Sequence, residues 1–164
     1  AEEWTDWRCG LIASLVETLA GEARRIKPGI KVNVHAVPWR AADFSGAVRS
    51  VAAQDLPRIA RAVDSIQPMC YHHMVLRTPD WVHDVVEDFA GRVRTPVVAS
   101  IQVGNAYIDE ELTAGEFEAA LREALRPPSA GVVFWNWDAL AVSSQKKEVV
   151  ARWTAAAKAG RPRP

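Results

Sequence analysis

The sequence predicts an α/β fold, a parallel (βα)4 half-barrel preceded by one helix and formed by residues 1–164 as a single domain. Short β-branched segments alternate with amphipathic segments along the whole chain, and no low-complexity linker divides them. Each predicted strand also has one apolar face and one face that carries polar or aromatic residues. Together these observations predict parallel strands joined by helical crossovers.

The first helix is predicted over 5–27, where apolar residues recur every three or four positions. Pro28 and Gly29 end that pattern. The segment 31–38 is short, β-branched and bounded by Gly29 and Pro38, which predicts the first strand. About fifteen loop residues follow it, so the first crossover contains a long loop.

The middle of the chain repeats the strand and helix order. A helix is predicted over 54–64, with Pro57 near its first turn, where a missing amide hydrogen is tolerated. A strand over 65–73 follows, then a helix over 79–92 and a strand over 95–104. This order predicts two further parallel strands with a helix between them.

The last part of the chain begins with a helix over 113–125. Its start is marked by a capping box, in which Glu116 follows Thr113 by three residues. The remaining predicted elements are the fourth strand, the last helix and a disordered tail, over 131–140, 144–158 and 159–164.

Composition limits the classes of partner. Twenty basic residues balance twenty acidic ones, so no overall field favours nucleic acid, an anionic membrane or a polyanion. No apolar run is long enough to span a membrane. Cys9 and Cys70 have no metal-binding spacing and are predicted to be buried small hydrophobes. The amino end lacks both a signal pattern and an initiator methionine, so we expect a processed product or a fragment.

Alternation of side chains across each strand distinguishes two architectures. A doubly wound sheet buries both faces under helices and gives no reason for one polar face. In a (βα)8 barrel the second face points inward and becomes polar toward the carboxyl end, where active sites lie. The residues predicted to converge at that mouth are Asn33, His35, Gln67, Tyr71, Ser100, Gln102, Trp135 and Trp137.

Four strands cannot close a barrel, and an open set leaves two bare edges and an uncovered inner face. We therefore expect the chain to pair with its own amino-terminal half-barrel or with a second copy of itself. A small doubly wound α/β protein is the alternative fold. No glycine-rich phosphate loop follows any strand, so neither fold predicts a nucleotide cofactor, and we expect no cofactor.

Three segments resemble barrel glycoside hydrolases. The segment "DSIQPMCYHH" is similar to the sixth strand of family 18 chitinases and, more closely, of family 10-like bacterial glycoside hydrolases. The positions that match their Asp-x-Ile-x-Pro-Met-x-Tyr pattern are Asp64, Ile66, Pro68, Met69 and Tyr71. The segment from Trp4 to the first strand resembles the region after their fourth strand, and 131–140 resembles their eighth strand. The resemblance implies that this chain forms strands five to eight of a TIM barrel. It also implies that the protein is secreted or located in the cell envelope.

The resemblance implies a protein that binds an oligo- or polysaccharide at the barrel mouth. Tyr71 corresponds to the tyrosine that hydrogen-bonds the substrate near the reacting sugar, and Trp135 corresponds to the tryptophan that stacks beneath it. His72 departs from the pattern, because chitinases have Asp there. Their catalytic acid would lie before Ala1, and Gln102 occupies the nucleophile position of two-carboxylate barrels. The catalytic acid is thus expected on the amino-terminal half; alternatively, the chain is a non-catalytic saccharide-binding or assembly half-barrel.

Further side chains are candidate sugar contacts. Trp137 offers a second flat ring, and Asp138 is either a substrate contact or a loop acid. His35 and His73 suit a polar lining better than a metal site, since adjacent His72 and His73 fall on opposite faces of a continuing strand. The predicted substrate-binding residues are therefore His35, Tyr71, His73, Gln102, Trp135, Trp137 and Asp138, with no metal ligand predicted.

Overall fold

A computed structural model describes residues 1–160. Four parallel strands form one sheet in the order β1-β2-β3-β4. The strands are β1 (Asn33–Ala36), β2 (Ser65–Cys70), β3 (Val98–Gln102) and β4 (Gly131–Trp135). The α-helices are α1 (Glu2–Ile26), α2 (Ala47–Ser50), α3 (Leu56–Ile59), α4 (Asp80–Arg92), α5 (Ala114–Ala124), α6 (Trp137–Val142) and α7 (Ser144–Lys158). From residue 161 onward, the predicted disordered tail lies outside the described residues.

The hydrophobic core lies between one face of the sheet and the helices. Outward-facing strand residues such as Ile66, Ala99 and Ile101 are fully buried there. The residues that α4 contributes follow the three- and four-residue spacing of one helix face and are Val82, Val85, Val86 and Phe89. The helix layer runs in the order α1, α3, α4, α5, α7, parallel to the strand order. This arrangement confirms the predicted fold class, with helices covering one sheet face.

The first crossover differs most from the prediction. Within the predicted loop, a short 3-10 helix (Asp43–Ser45) and α2 both form. The helix predicted over 54–64 is limited to α3. Its start is capped by Asp55, whose side chain accepts a hydrogen bond from the backbone N–H of Arg58. Beyond Ala60 the backbone bonds span three residues instead of four, so the α-helix tightens and ends.

All four strands are shorter than predicted, and in two of them the chain turns away from the strand before the predicted end. The strand predicted over 65–73 ends at Cys70, because the N–H of Tyr71 turns back to the carbonyl of Met69 at 2.8 Å. The strand predicted over 131–140 ends at Trp135. Asn136 then caps α6, its side chain accepting a hydrogen bond from the N–H of Ala139 at 3.0 Å. Alternation along a strand therefore does not apply to residues 71–73 or 136–138.

Other predictions are confirmed. The long first helix, the helix before β3 and the last helix form close to their predicted limits. Thr113 caps α5 by accepting a hydrogen bond from the N–H of Glu116 at 3.1 Å, as the capping box predicts. Cys9 and Cys70 are free, buried thiols. Among the described helices, none combines the length and apolar character needed to cross a membrane.

Candidate functional site

The carboxyl ends of β2, β3 and β4 bring aromatic and polar side chains to one edge of the sheet. Strand register places Met69 opposite Ser100 and Ser100 opposite Val133. The next inward row pairs Gln102 with Trp135. Because the strands are parallel, these rows line the same face, as the sequence predicted for this part of the site.

Tyr71 and Trp135 form an aromatic pair at this edge. Their rings stack with centroids 4.9 Å apart and planes inclined by 22°. Tyr71 is buried beneath this contact, whereas Trp135 is 38% exposed. The hydroxyl of Tyr71 lies 3.4 Å from Ser100 Oγ on the intervening strand. Tyr71 thus supports the indole ring from below, and its hydroxyl is directed at the sheet rather than at solvent.

Gln102 is fully buried and has partners at both ends of its amide. Its Nε2 donates to the carbonyl of Gly104 at 2.7 Å, and its Oε1 accepts from the N–H of Met74 at 3.1 Å. These bonds tie the loop after β2 to the loop after β3. Gln102 lies where the sequence placed it, but its polar atoms are engaged within the protein.

Two adjacent histidines converge on one carboxylate. Nε2 of His72 lies 3.1 Å from Glu116 Oε1, and Nδ1 of His73 lies 3.0 Å from the same oxygen. The other ring nitrogen of His73 lies 2.9 Å from the carbonyl of Glu110. The expectation that His72 and His73 point to opposite faces is wrong, because β2 ends before them and the chain turns.

The protonation of this cluster follows from its geometry. The carbonyl of Glu110 can only accept, so the facing nitrogen of His73 carries a hydrogen. Burial opposes charge on His73, but the Glu110 carbonyl and the Glu116 carboxylate outweigh it and raise the pKa of the imidazole. Burial lowers the pKa of His72 despite the nearby carboxylate. The two pKa shifts run in opposite directions, so a proton is favoured on His73 over His72 beside the shared carboxylate of Glu116.

Lys146 extends the polar cluster beneath the loop after β3. It is buried, and its Nζ donates to the carbonyl of Val103 at 2.6 Å. Burial lowers the pKa of its ammonium group, while Glu111 and Glu116 act in the opposite direction. The side chain thereby joins the amino end of α7 to the carboxyl end of β3.

The remaining predicted contacts lie apart from the Tyr71 and Trp135 pair. Trp137 is the first residue of α6 and is 73% exposed, so the two tryptophans do not share a strand face. Asp138 is exposed in the first turn of α6. His35 is exposed on β1, where it pairs with Gln67 of β2. Gln67 precedes Tyr71 by four residues, so His35 lies farther from the carboxyl ends of the strands than Tyr71 does. The structure thus brings together only part of the predicted set.

Sequence reasoning missed the roles of Lys146 and Glu116 as partners in the site, whereas Ser100 was among the residues predicted to converge at the mouth. Glu116 was detectable as part of the capping box, but that pattern assigns it to the helix start alone. Its side chain instead meets two histidines from the preceding crossover. Within residues 1–160, no group of three His, Cys, Asp or Glu residues could hold a metal ion. His72, His73 and Glu116 form a hydrogen-bonded network.

Comparison with known proteins supports the architecture. No family model matches the chain. No curated protein matches its sequence. The monoclinic crystal structure of bee venom hyaluronidase resembles the chain with a TM-score of 0.58 and 14% sequence identity. The likeness covers 89% of this chain and 51% of that chain, so the chain spans about half the length of the protein it resembles. At this identity the likeness shows the fold alone, a parallel α/β half-barrel.

Proposed function

We propose that this chain is the saccharide-binding half of a glycosidase-like barrel and that Trp135 is the surface on which a sugar ring stacks. The observation that carries the proposal is the stack of Trp135 on Tyr71 at the carboxyl ends of parallel strands. The fold likeness to a protein named hyaluronidase, after a polysaccharide, adds support.

The aromatic pair is suited to sugar binding. The apolar face of a sugar ring gains from contact with a flat aromatic face and from its desolvation. An indole ring already held by Tyr71 loses little conformational freedom when a ligand binds, which favours affinity. The exposed surface of Trp135 is the surface turned away from Tyr71, and there a sugar would lie.

Charge around the site favours an uncharged saccharide. The loops after β3 and β4 flank Trp135 and contain no Lys or Arg. They carry the exposed acids Asp109, Glu110, Glu111 and Asp138. A polyanionic chain would be repelled by these carboxylates, whereas the hydroxyls of a neutral sugar can donate hydrogen bonds to them without that cost.

Catalysis would require groups from outside this chain. Glycoside hydrolysis ordinarily uses two carboxyl groups about 5–9.5 Å apart across the scissile bond. Gln102, which pairs with Trp135 across the strands, has an amide in place of a carboxyl group, and both ends of that amide are hydrogen-bonded within the protein. The carboxylate of Glu116 is hydrogen-bonded to His72 and His73. These contacts favour a binding role for the chain by itself, with any acid catalyst supplied by a complementary half-barrel.

A titration followed by tryptophan fluorescence tests the proposal. Oligomers of glucose, oligomers of N-acetylglucosamine and hyaluronan oligomers are added separately to the wild-type chain, to Trp135→Ala and to Trp153→Phe. We expect an uncharged oligomer to bind the wild type and Trp153→Phe, and to bind Trp135→Ala at least tenfold more weakly. Trp153 lies on α7, where it is buried and donates to Glu118 of α5, so it is the matched control. Equal affinity in Trp135→Ala would remove Trp135 from the site.

A further inference from the structure

Helix α1 presents its large apolar residues to solvent. Seven of them are between 36% and 75% exposed, and they are Trp4, Trp7, Leu11, Ile12, Leu15, Leu19 and Ile26. At 100° per residue these positions fall within an arc of roughly 140° on the helix. Trp4 and Trp7 stack on each other at its start, with centroids 4.9 Å apart. We refer to these seven residues as the α1 stripe.

The side of α1 that faces the protein is made mostly of small residues instead. Cys9 and Ala20 are buried, and Ala13 and Val16 pack against the core. Ion pairs attach the helix to its neighbours, including Arg24 with Asp64 at 2.8 Å. A surface helix normally turns its large apolar residues toward the core. In α1 that order is reversed, and an exposed apolar patch of this kind marks an interaction surface.

The opposite end of the half-barrel is also open and apolar. β4 is the edge strand there, and beside it lies a cavity of about 240 Å³. Its lining residues come from α5, β4 and α7 and include Leu125, Val132, Phe134 and Trp153. The α1 stripe lies at the β1 end of the helix layer, because α1 packs against α2 and α3. Both ends of the sheet therefore carry an unpaired strand edge and an adjoining apolar surface.

We infer that this chain docks a complementary (βα)4 half-barrel of different sequence through two surfaces. The α1 stripe and the β1 edge form the first surface. The β4 edge and its cavity form the second. A single arc of four strands that pairs with β4 at one end and with β1 at the other covers both surfaces at once. Each unpaired edge then gains parallel partners, and the inward face is enclosed. The α1 stripe packs on a helix of that partner.

The size of the similar protein favours this occupant over a second copy. Bee venom hyaluronidase resembles this chain over 51% of its own length, so about as much further chain accompanies the matched half there. A second copy would add another Trp135 and another engaged Gln102, and no pair of free carboxyl groups beside them. The inference requires no saccharide at Trp135, so docking and sugar binding can fail separately.

Mixing of two separately produced chains tests the inference. The probe is the polypeptide encoded upstream of Ala1 in the same gene, produced as a separate chain and mixed with the wild-type 164-residue chain. We expect a one-to-one complex by light scattering, and protection of α1 from hydrogen exchange on mixing. Leu11→Glu and Leu15→Glu, each on the α1 stripe, should weaken the complex by tenfold or more. Leu76→Glu is the matched control, since Leu76 is 77% exposed in the loop after β2, between the two ends.

Each result has a defined meaning. A complex that Leu11→Glu and Leu15→Glu weaken, and that Leu76→Glu leaves unchanged, supports docking at the stripe. A stable homodimer of the 164-residue chain that Leu15→Glu dissociates would assign the surface to a second copy and overturn the inference. So would a gene with no upstream strand and helix units, or a complex that tolerates both stripe variants. Circular dichroism of the isolated variants checks that they fold.

Discussion

Trp135 rests on Tyr71, ring against ring at 4.9 Å, although β4 and β2 are not neighbouring strands. The stack passes over β3, where Ser100 meets the hydroxyl of Tyr71 at 3.4 Å. Three strands thus fix the position of one exposed indole ring. This relationship leads to the first prediction.

Removing the lower ring should loosen the upper one. Tyr71→Ala deletes a buried aromatic side chain and should lower the free energy of unfolding by about 3 kcal/mol. Tyr71→Phe keeps the ring and loses only the contact with Ser100, at about 0.5–1.5 kcal/mol. Urea unfolding measures both values. In Tyr71→Phe the sugar affinity should stay within twofold of wild type, and a large loss there would mean that the hydroxyl contacts the ligand.

Gln102 should not tolerate a carboxylate at neutral pH. In Gln102→Glu the side chain can no longer donate to Gly104, and the new charge is fully buried, so we expect a loss of about 2–4 kcal/mol. The loss should shrink at acidic pH, where a protonated glutamic acid can donate again. The exposed Gln145→Glu on α7 is the control and should change stability by less than about 0.5 kcal/mol. A stable Gln102→Glu at pH 7 would contradict the buried geometry.

His72 and His73 should give stability opposite dependences on pH. Burial lowers the pKa of His72, so its contribution is present above the unfolded-state pKa and is lost as pH falls. The Glu110 carbonyl and Glu116 raise the pKa of His73 against its burial, so its contribution is full below the unfolded-state pKa and is lost as pH rises. The combined contribution of the pair should be greatest near the ordinary histidine value of about 6.5.

Single variants separate these two limbs. The free energy of unfolding is measured from pH 5 to pH 9 for the wild type and for each variant. In His73→Gln it should fall less steeply toward alkaline pH, and in His72→Gln it should fall less steeply toward acid pH. Glu116→Gln should also flatten the alkaline limb, because it removes the carboxylate that His73 faces. Superimposable pH profiles for the wild type and His73→Gln would show that His73 does not carry the predicted charge.

Gly104 should resist a side chain. A Cβ at this position would lie 2.8 Å from Cβ of Ala139 in α6, so Gly104→Ala should cost about 1–3 kcal/mol by forcing α6 away. Gly115→Ala is the control, since no atom lies within 4 Å of a Cβ at that helical position. It should leave stability unchanged or raise it by up to about 1 kcal/mol. Thermal unfolding measures both, and a neutral Gly104→Ala would show that α6 is free to move.

The sequence by itself determined the order of elements and the buried face of the sheet. Alternation in β3 and helical spacing in α4 are local patterns, and both match the core that forms. The cap at Thr113 was likewise readable, since it depends on residues three positions apart. These features were predictable because neighbouring residues decide them.

Only the tertiary structure decided where strands end and which distant side chains meet. Nothing near Tyr71 in the sequence shows that its N–H turns back to Met69, and that turn sends His72 and His73 to Glu116 rather than to opposite faces. Asn136 ends β4 as a helix cap, so Trp137 leaves the face that holds Trp135. The contacts with Glu116 join residues that lie 43 and 44 positions apart, which no local pattern reveals. The turn at Tyr71 and the cap at Asn136 are short-range, and they compete with the alternation that a strand pattern predicts.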